Sequence, residues 1–287
     1  MSIKYYTKQF AGVLPTLFEK KTAFLRSFGG LVQVKAGAEA DVNFLVLKTT
    51  NSAVVIQNYS TEAEVAFEGG TGNTNRFGKR TEIKSVDTAV AYEKPLAIHE
   101  GVDNFTVNDI PEQVVAERLT LHASAWAGHV DKLLGKAISD AASETLEAYL
   151  TAEGVTKLFA EAHKKFVNNN VSENIAHVAY VNADVYNLLV DSGLTTTAKN
   201  STVNIDNQTV EKFKGFVIVE MADAKMQADE LAYFVADGVG VAGVGIQVAR
   251  AMDSETFTGT LLQAAAQYGK YIPEDNKKAI LKAKLKK

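Results

Sequence analysis

The stretch "LAYFVADGVGVAGVGIQVAR", residues 231–250, carries a literal G-x-G-x-x-G at Gly238, Gly240 and Gly243, directly after a strand-like apolar run. In a dinucleotide-binding fold a helix opens after the third glycine and holds the pyrophosphate, and an acidic residue about 20 positions later meets the ribose. Here "VGIQVARAM" follows, with a further glycine at Gly245 and β-branched residues, a pattern that continues a strand. Asp253 and Glu255 come too early for the ribose, and only 44 residues (287 − 243) remain, too few for the rest of such a fold. The glycines read as a tight turn between strands.

Around this turn, residues 151–250 alternate element types. "GVTKLFAEAHKKFVNNN" is helical, "HVAYVN" is a buried strand, and "ADVYNLLVDSG" is a helix ended by Gly193. "FKGFVIVEM" and "LAYFVAD" are strands, and residues 191–212 form a polar loop rich in Thr, Asn and Ser. After Arg250 the chain returns to strand character in "TLLQAAAQYGKYI" and closes with a lysine-rich tail, "KKAILKAKLKK". A short charge run of that kind reads as a solvated face.

Upstream lies the strongest helix, "NDIPEQVVAERLTLHASAWAGHVDKLLGKAISDAAS", residues 108–143. Asp109 is its N-cap candidate, with Pro111 in the first turn and Glu112 completing a D-x-x-E capping pattern. Val115, Leu119, Trp126, Val130, Leu134 and Ile138 recur at helical steps and form one apolar stripe. The pattern runs for about 30 residues, roughly 45 Å at the usual rise. Glu117 and Asp131 read as its solvated face.

Residues 41–95 look like strands. In "TEAEVAFE", Glu62, Glu64 and Glu68 fall on one face and Ala63, Val65 and Phe67 on the other. After "GGTGNTNRFG", "KRTEIKSVDTAVAY" returns with Val86, Val90 and Tyr92 on a shared face. Two strands about a glycine- and asparagine-rich tip make a long hairpin. Its outgoing arm is acidic, its tip and returning arm basic (Arg76, Lys79, Arg80, Lys84), and an isolated hairpin of this kind is marginal in water. Residues 1–40 mix Tyr5, Tyr6, Phe10, Phe18, Phe24 and Phe28 with lysines and end at Gly29-Gly30. They read as an arm that packs on something else.

The composition is that of an ordinary globular chain, 46% hydrophobic and 22% charged. A net charge of −4 argues against a dedicated nucleic-acid binder. There is no cysteine, so no disulfide or thiolate site, which fits a reducing cytoplasm. No stretch resembles a signal peptide or approaches the roughly 18 apolar residues of a membrane span, so no membrane partner is expected. The tip "GNTNRFGKR" imitates a phosphate loop, but Gly72 and Gly78 are one residue too far apart and Arg80 replaces the magnesium-binding hydroxyl. His99 and Glu100 lack a second histidine four residues on, and His122 and His129 lie seven apart with no third ligand in view. No catalytic residue, metal or cofactor is expected.

Over nearly its whole length the chain resembles the major capsid proteins of tailed bacteriophages, the Hong Kong 97-type shell fold, and especially those of siphophages of Gram-positive hosts. The resemblance is carried by "AYEKPLAIHEGVDNFTVNDIPEQVVAERL", "AYVNADVYNLLVDSGLTTTAKNSTVNID", "KFKGFVIVEM" and "LLQAAAQYGKYIPEDNKKAI", in the same element order. It implies an α+β fold with five parts: an N-terminal arm (1–45), an extended hairpin loop with flanking strands (46–95), and a peripheral domain with a spine helix (96–150). An axial domain (151–250) and a closing strand with the basic tail (251–287) complete it.

The resemblance further implies that the hairpin lies across a neighbouring subunit, with Glu62, Glu64, Arg76, Lys79, Arg80 and Lys84 in intersubunit contacts. The loop bearing Thr195, Thr196, Lys199 and Asn200 points to the pentamer or hexamer axis. The implied partners are copies of the chain itself, a portal, decoration proteins and packaged DNA touched non-specifically on the inner face. Because the sequence begins almost directly with the arm, a separate scaffolding protein is expected rather than a cleaved scaffolding segment. Some relatives weld subunits by a lysine–asparagine bond; Lys79 and Lys84 lie on the hairpin, but no partner asparagine or catalytic glutamate matches. The implied location is the virion, after assembly in the host cytoplasm. Two alternatives stay open: an encapsulin-type compartment with the same shell fold, and a nucleotide-binding enzyme using Gly238, Gly240 and Gly243.

Overall fold

The computed structural model describes residues 22–33, 43–50, 54–61, 76–78, 82–83, 85–106, 111–195, 202–204 and 209–286. The chain forms two compact units, one of residues Val42–Ala91 and one of all the rest.

The smaller unit is built on two antiparallel strands, β2 (Asn43–Thr50) and β3 (Ser85–Ala91), in register from Asn43 opposite Ala91 to Thr50 opposite Ser85. The returning strand of the expected hairpin therefore pairs with residues 43–50. The stretch 61–68 had been expected as its partner, but 62–75 lie outside the described residues. Residues 54–61 belong to no helix or strand among the described residues.

The larger unit holds two sheets. One has four strands in the order β1 (Leu31–Gln33), β11 (Val241–Asp253), β12 (Gly259–Tyr271) and β4 (Leu96–Asp103). The other has seven, beginning with β5 (Glu144–Ala148), β13 (Ile280–Leu285), β10 (Glu230–Ala236) and β6 (His177–Asn182). It continues with β9 (Phe216–Met221), β8 (Thr209–Phe213) and β7 (Thr202–Asn204). Three helices accompany them: α1 (Pro111–Ala141), α2 (Ala152–Asn168) and α3 (Ala183–Thr195).

Every residue of β10 is buried, as expected of a strand covered on both faces. Neighbouring residues of a strand point to opposite faces, and the contacts of β10 identify each cover. Phe234 stacks edge-on to Phe159 of α2, with ring centroids 4.9 Å apart. Its neighbour Tyr233 meets Phe24 on the other side, 6.0 Å away, and shares the carboxylate of Glu230 with Ser139 of α1. The seven-stranded sheet is thus sandwiched between α2 and the layer formed by α1 and Phe24. The aromatic rings of Phe159, Phe166, Phe213, Phe216 and Phe234 fill the α2 side, all buried.

The glycine motif is the passage between the sheets. β10 ends in the seven-stranded sheet, Gly238 turns with φ +75°, and β11 begins in the four-stranded sheet. A Cβ on Gly240 would lie 2.6 Å from the Tyr271 carbonyl oxygen and 2.8 Å from the Phe28 ring, so only glycine lets the chain cross there. No helix opens after Gly243; residue 243 is within β11, paired with Gly269 and Val32.

Several expectations are corrected. The lysine-rich segment is no tail: residues 280–285 form an interior strand, parallel to β5 and antiparallel to β10, with Ile280, Leu281 and Ala283 buried. A boundary after residue 250 would cut β11 in two. The helix expected to stop at Gly193 runs to Thr195, since one glycine costs about 1 kcal/mol and does not break a hydrogen-bonded turn. The polar stretch 191–212 contains β7 and the start of β8. "FKGFVIVEM" is not one strand, because Lys214 (φ 46°) and Gly215 (φ +89°) form a two-residue hairpin turn between β8 and β9.

Residues 22–33, expected within an arm that packs elsewhere, are held by their own subunit. Phe24 and Phe28 are buried in the core beside α1. The Phe24 ring occupies the space where Gly135 has no side chain; a Cβ there would be 2.9 Å from it. Residues 1–21 lie outside the described residues.

Candidate assembly site

Three polar clasps fix α1, and through it the larger unit. Near its start, Arg118 donates from Nε to Oε2 of Glu100 on β4 at 2.8 Å and from a second nitrogen to Oε1. The buried His122 ring donates from Nε2 to the same Oε2 at 2.9 Å. The Arg118 hydrogen bond, above all, with His122 beside it, holds the Glu100 carboxyl down at about 2 despite partial desolvation. In the middle, Asp131 is wholly buried, correcting its reading as solvated. Its carboxylate accepts the backbone N–H of Ala23 at 2.9 Å and pairs with Lys225 at 2.5 Å. Near the end, Glu230 accepts Ser139 Oγ at 2.9 Å and the Tyr233 hydroxyl at 2.6 Å, with Lys282 Nζ 3.2 Å away. Burial, reinforced by Glu230, pushes the Tyr233 hydroxyl up. Burial also raises Tyr180, to about 12, where its hydroxyl meets Ser27 at 2.7 Å.

These groups are consumed by holding elements together. Among the described residues there is no group of three or more His, Asp or Glu placed to hold a metal ion. Nor is any helix among them long and apolar enough to cross a membrane. An open cleft of about 570 Å³ lies at the β11–β12 tip, lined by Asn104, Asp253, Glu255, Phe257 and their neighbours.

Among the described residues, exposed large apolar side chains are densest in the smaller unit. Val54 and Ile56 are each 96% exposed, Phe77 77% and Ile83 71%, with Val55 and Tyr59 also open. The chain around them is ordered by its own contacts. Ser60 N–H donates to the Arg76 carbonyl at 2.9 Å, Tyr59 and Phe77 meet edge-on at 5.2 Å, and Gly78 (φ +79°) gives way to Gln57. Scattered exposed apolar residues are ordinary; here Val54, Val55, Ile56 and Tyr59 follow closely along the chain and Phe77 packs against Tyr59. Each such side chain contributes about 1.5–3 kcal/mol when fully buried.

Of the residues proposed from sequence, Arg76 falls within this ordered stretch, half-buried. Glu62, Glu64, Lys79, Arg80 and Lys84 lie outside the described residues, as do Thr196, Lys199 and Asn200; Thr195 is the last residue of α3. The sequence reading missed the apolar run at residues 53–56, "AVVI", whose lack of strand alternation was the available signal. It also treated Glu100 and His122 as unrelated.

No family model matches the chain, and no curated protein matches it. Solved structures do. A chain from Mycobacterium phage Che8 superposes with a TM-score of 0.66 at 18% identity, over 91% of this chain and 90% of that one. A chain from the asymmetric unit of the bacteriophage PhiM1 mature capsid gives 0.63 at 13% identity, over 92% and 87%. The virus-like particle from Pyrococcus furiosus gives 0.54 at 12% identity, over 97% and 99%. With its long α1, its two sheets and its separate β2–β3 unit, the chain has the Hong Kong 97-type phage capsid fold.

Proposed function

We propose that the chain is a major capsid protein that assembles into pentamers and hexamers of an icosahedral shell around phage double-stranded DNA. The observation that carries this is the fold likeness to phage capsid chains over about nine-tenths of the sequence. The exposed Val54, Ile56, Phe77 and Ile83 add to it, because the described residues leave them in water. In this reading the β2–β3 unit is the extended loop lying across a neighbouring subunit, α1 is the spine of the peripheral domain, and the seven-stranded sheet forms the axial domain. The loop with Thr195, Thr196, Lys199 and Asn200 faces the capsomer axis. Many weak, repeated contacts then give a stable closed shell. The protein acts structurally, in the virion, after assembly in the host cytoplasm. Its further partners are a separate scaffolding protein, a portal, decoration proteins and, non-specifically, the packaged DNA.

Negative-stain electron microscopy of the purified protein tests this directly. Closed particles are expected; a monodisperse monomer at high concentration would overturn the reading. Within it, Arg76, Lys79 and Arg80 make intersubunit ion pairs with acids such as Glu62 and Glu64. Reversing the charge of Lys79 and Arg80 together is expected to abolish particles while leaving the melting temperature of the subunit unchanged.

A second reading, an encapsulin-type compartment, is favoured by the likeness to the Pyrococcus furiosus virus-like particle along nearly all of both chains. Cargo separates the two. Particles filled with nucleic acid support the phage capsid, and particles holding a protein enzyme support the compartment.

A further inference from the structure

One row of side chains crosses the four-stranded sheet on the face turned away from α1. Arg250 of β11 stands opposite Gln263 of β12, which stands opposite His99 of β4. Arg250 Nε donates to Gln263 Oε1 at 2.6 Å, and Gln263 Nε2 lies 3.2 Å from His99 Nε2. An arginine can only donate, so the Gln263 amide has one permitted orientation, oxygen to Arg250 and NH2 to His99. His99 Nε2 is then the acceptor. The row is directional, and it fixes the guanidinium at its exposed end.

Two of the other described arginines spend their charge within the chain, Arg26 on Asp237 and Arg118 on Glu100. Arg250 has no carboxylate within ion-pair distance among the described residues. Its surroundings on this face are apolar: Val248 and Met252 flank it along β11, and Leu261 and Ala265 stand opposite them on β12. Val248 is 42% exposed. An oriented arginine with apolar side chains on either side along both strands has the make-up of an interface anchor.

We infer that Arg250, oriented by Gln263, is a docking anchor for a carboxylate presented by a second copy of this chain. A second copy is the occupant because of charge. The chain carries 34 acids against 30 lysines and arginines, whereas the row offers a polyanion one permanent cation in an apolar setting, far from the several that nucleic acid takes. This rests on the shell reading and adds to it a site outside the β2–β3 unit.

Two variants test it, Arg250→Gln and Gln263→Glu. The first removes the charge. The second keeps the sheet and gives Arg250 a carboxylate of its own, so a purely structural role predicts normal or firmer assembly. The docking role predicts that both raise the protein concentration at which particles appear, by roughly tenfold or more. Light scattering and sedimentation velocity would measure that threshold without DNA, and circular dichroism would check that dissociated subunits melt as the wild type does. If wild-type particles form and either variant assembles at the wild-type threshold, the anchor is wrong and the shell reading stands. If the wild type forms no particles, both fall.

Discussion

Glu100 serves two partners on α1 with one carboxylate, and that makes its ionisation a stability term. Its folded pKa, about 2, lies below the ordinary 4.5. Between those values the unfolded chain binds a proton that the folded chain refuses. The clasp therefore contributes fully above pH 4.5 and is lost as pH falls toward 2. Glu100→Gln is expected to lower stability at neutral pH by about 1–3 kcal/mol, and to flatten the fall in melting temperature over that acid range. Calorimetry across pH 2–6 checks both. Asp131 shows how such residues hide in sequence. Its acidic character suggested a solvated position, yet it is four residues after Ala127 and three before Leu134, both buried. The helical spacing already placed it on the apolar stripe. What could not be read was its partner set, because Ala23 and Lys225 come from distant parts of the chain.

Along α1 the two interior glycines, alike in sequence, differ in what surrounds them. Gly128 has open space where a Cβ would go, whereas at Gly135 a Cβ would meet the Phe24 ring at 2.9 Å and the Lys225 carbonyl at 3.1 Å. Gly128→Ala is expected to stabilise the subunit by about 1 kcal/mol through helix propensity. Gly135→Ala is expected to destabilise it, because the carbonyl cannot swing aside. Urea denaturation of the pair, run side by side, should give opposite signs. The extent of α1 was legible because its 3.6-residue periodicity is local. The place of β13 was not. Its lysines mimic a solvated end, but Lys282 reaches Glu230 while Ile280 and Leu281 enter the core. Deleting residues 280–287 takes a strand from between β10 and β5, so an insoluble or unfolded subunit is expected by circular dichroism; a dispensable tail would leave melting unchanged.

For the molecule as a whole, the division between self-sufficient and dependent parts carries the functional reading. The larger unit buries the rings of Phe24, Phe159, Phe166, Phe216 and Phe234 and pairs its buried acids Asp131 and Glu230 with lysines, while the β2–β3 unit leaves Val54 and Ile56 almost wholly in water. Replacing both by serine is expected to leave subunit melting within about 0.5 kcal/mol of wild type, as for surface sites, yet to suppress particles in electron micrographs. Normal particles from that variant would remove the apolar stretch from the assembly surface. The overall architecture was legible only as a likeness across many elements, since no short motif specifies it; the glycine motif pointed elsewhere until the strand after Gly243 was considered. The position of β13 has a consequence during synthesis. Among the described residues β5 is parallel to β13 and has no other strand beside it, so while the chain is being translated its slot stays vacant until β13 has been made. Until then β10, too, lacks the antiparallel neighbour on that side, so this half of the seven-stranded sheet closes late in folding.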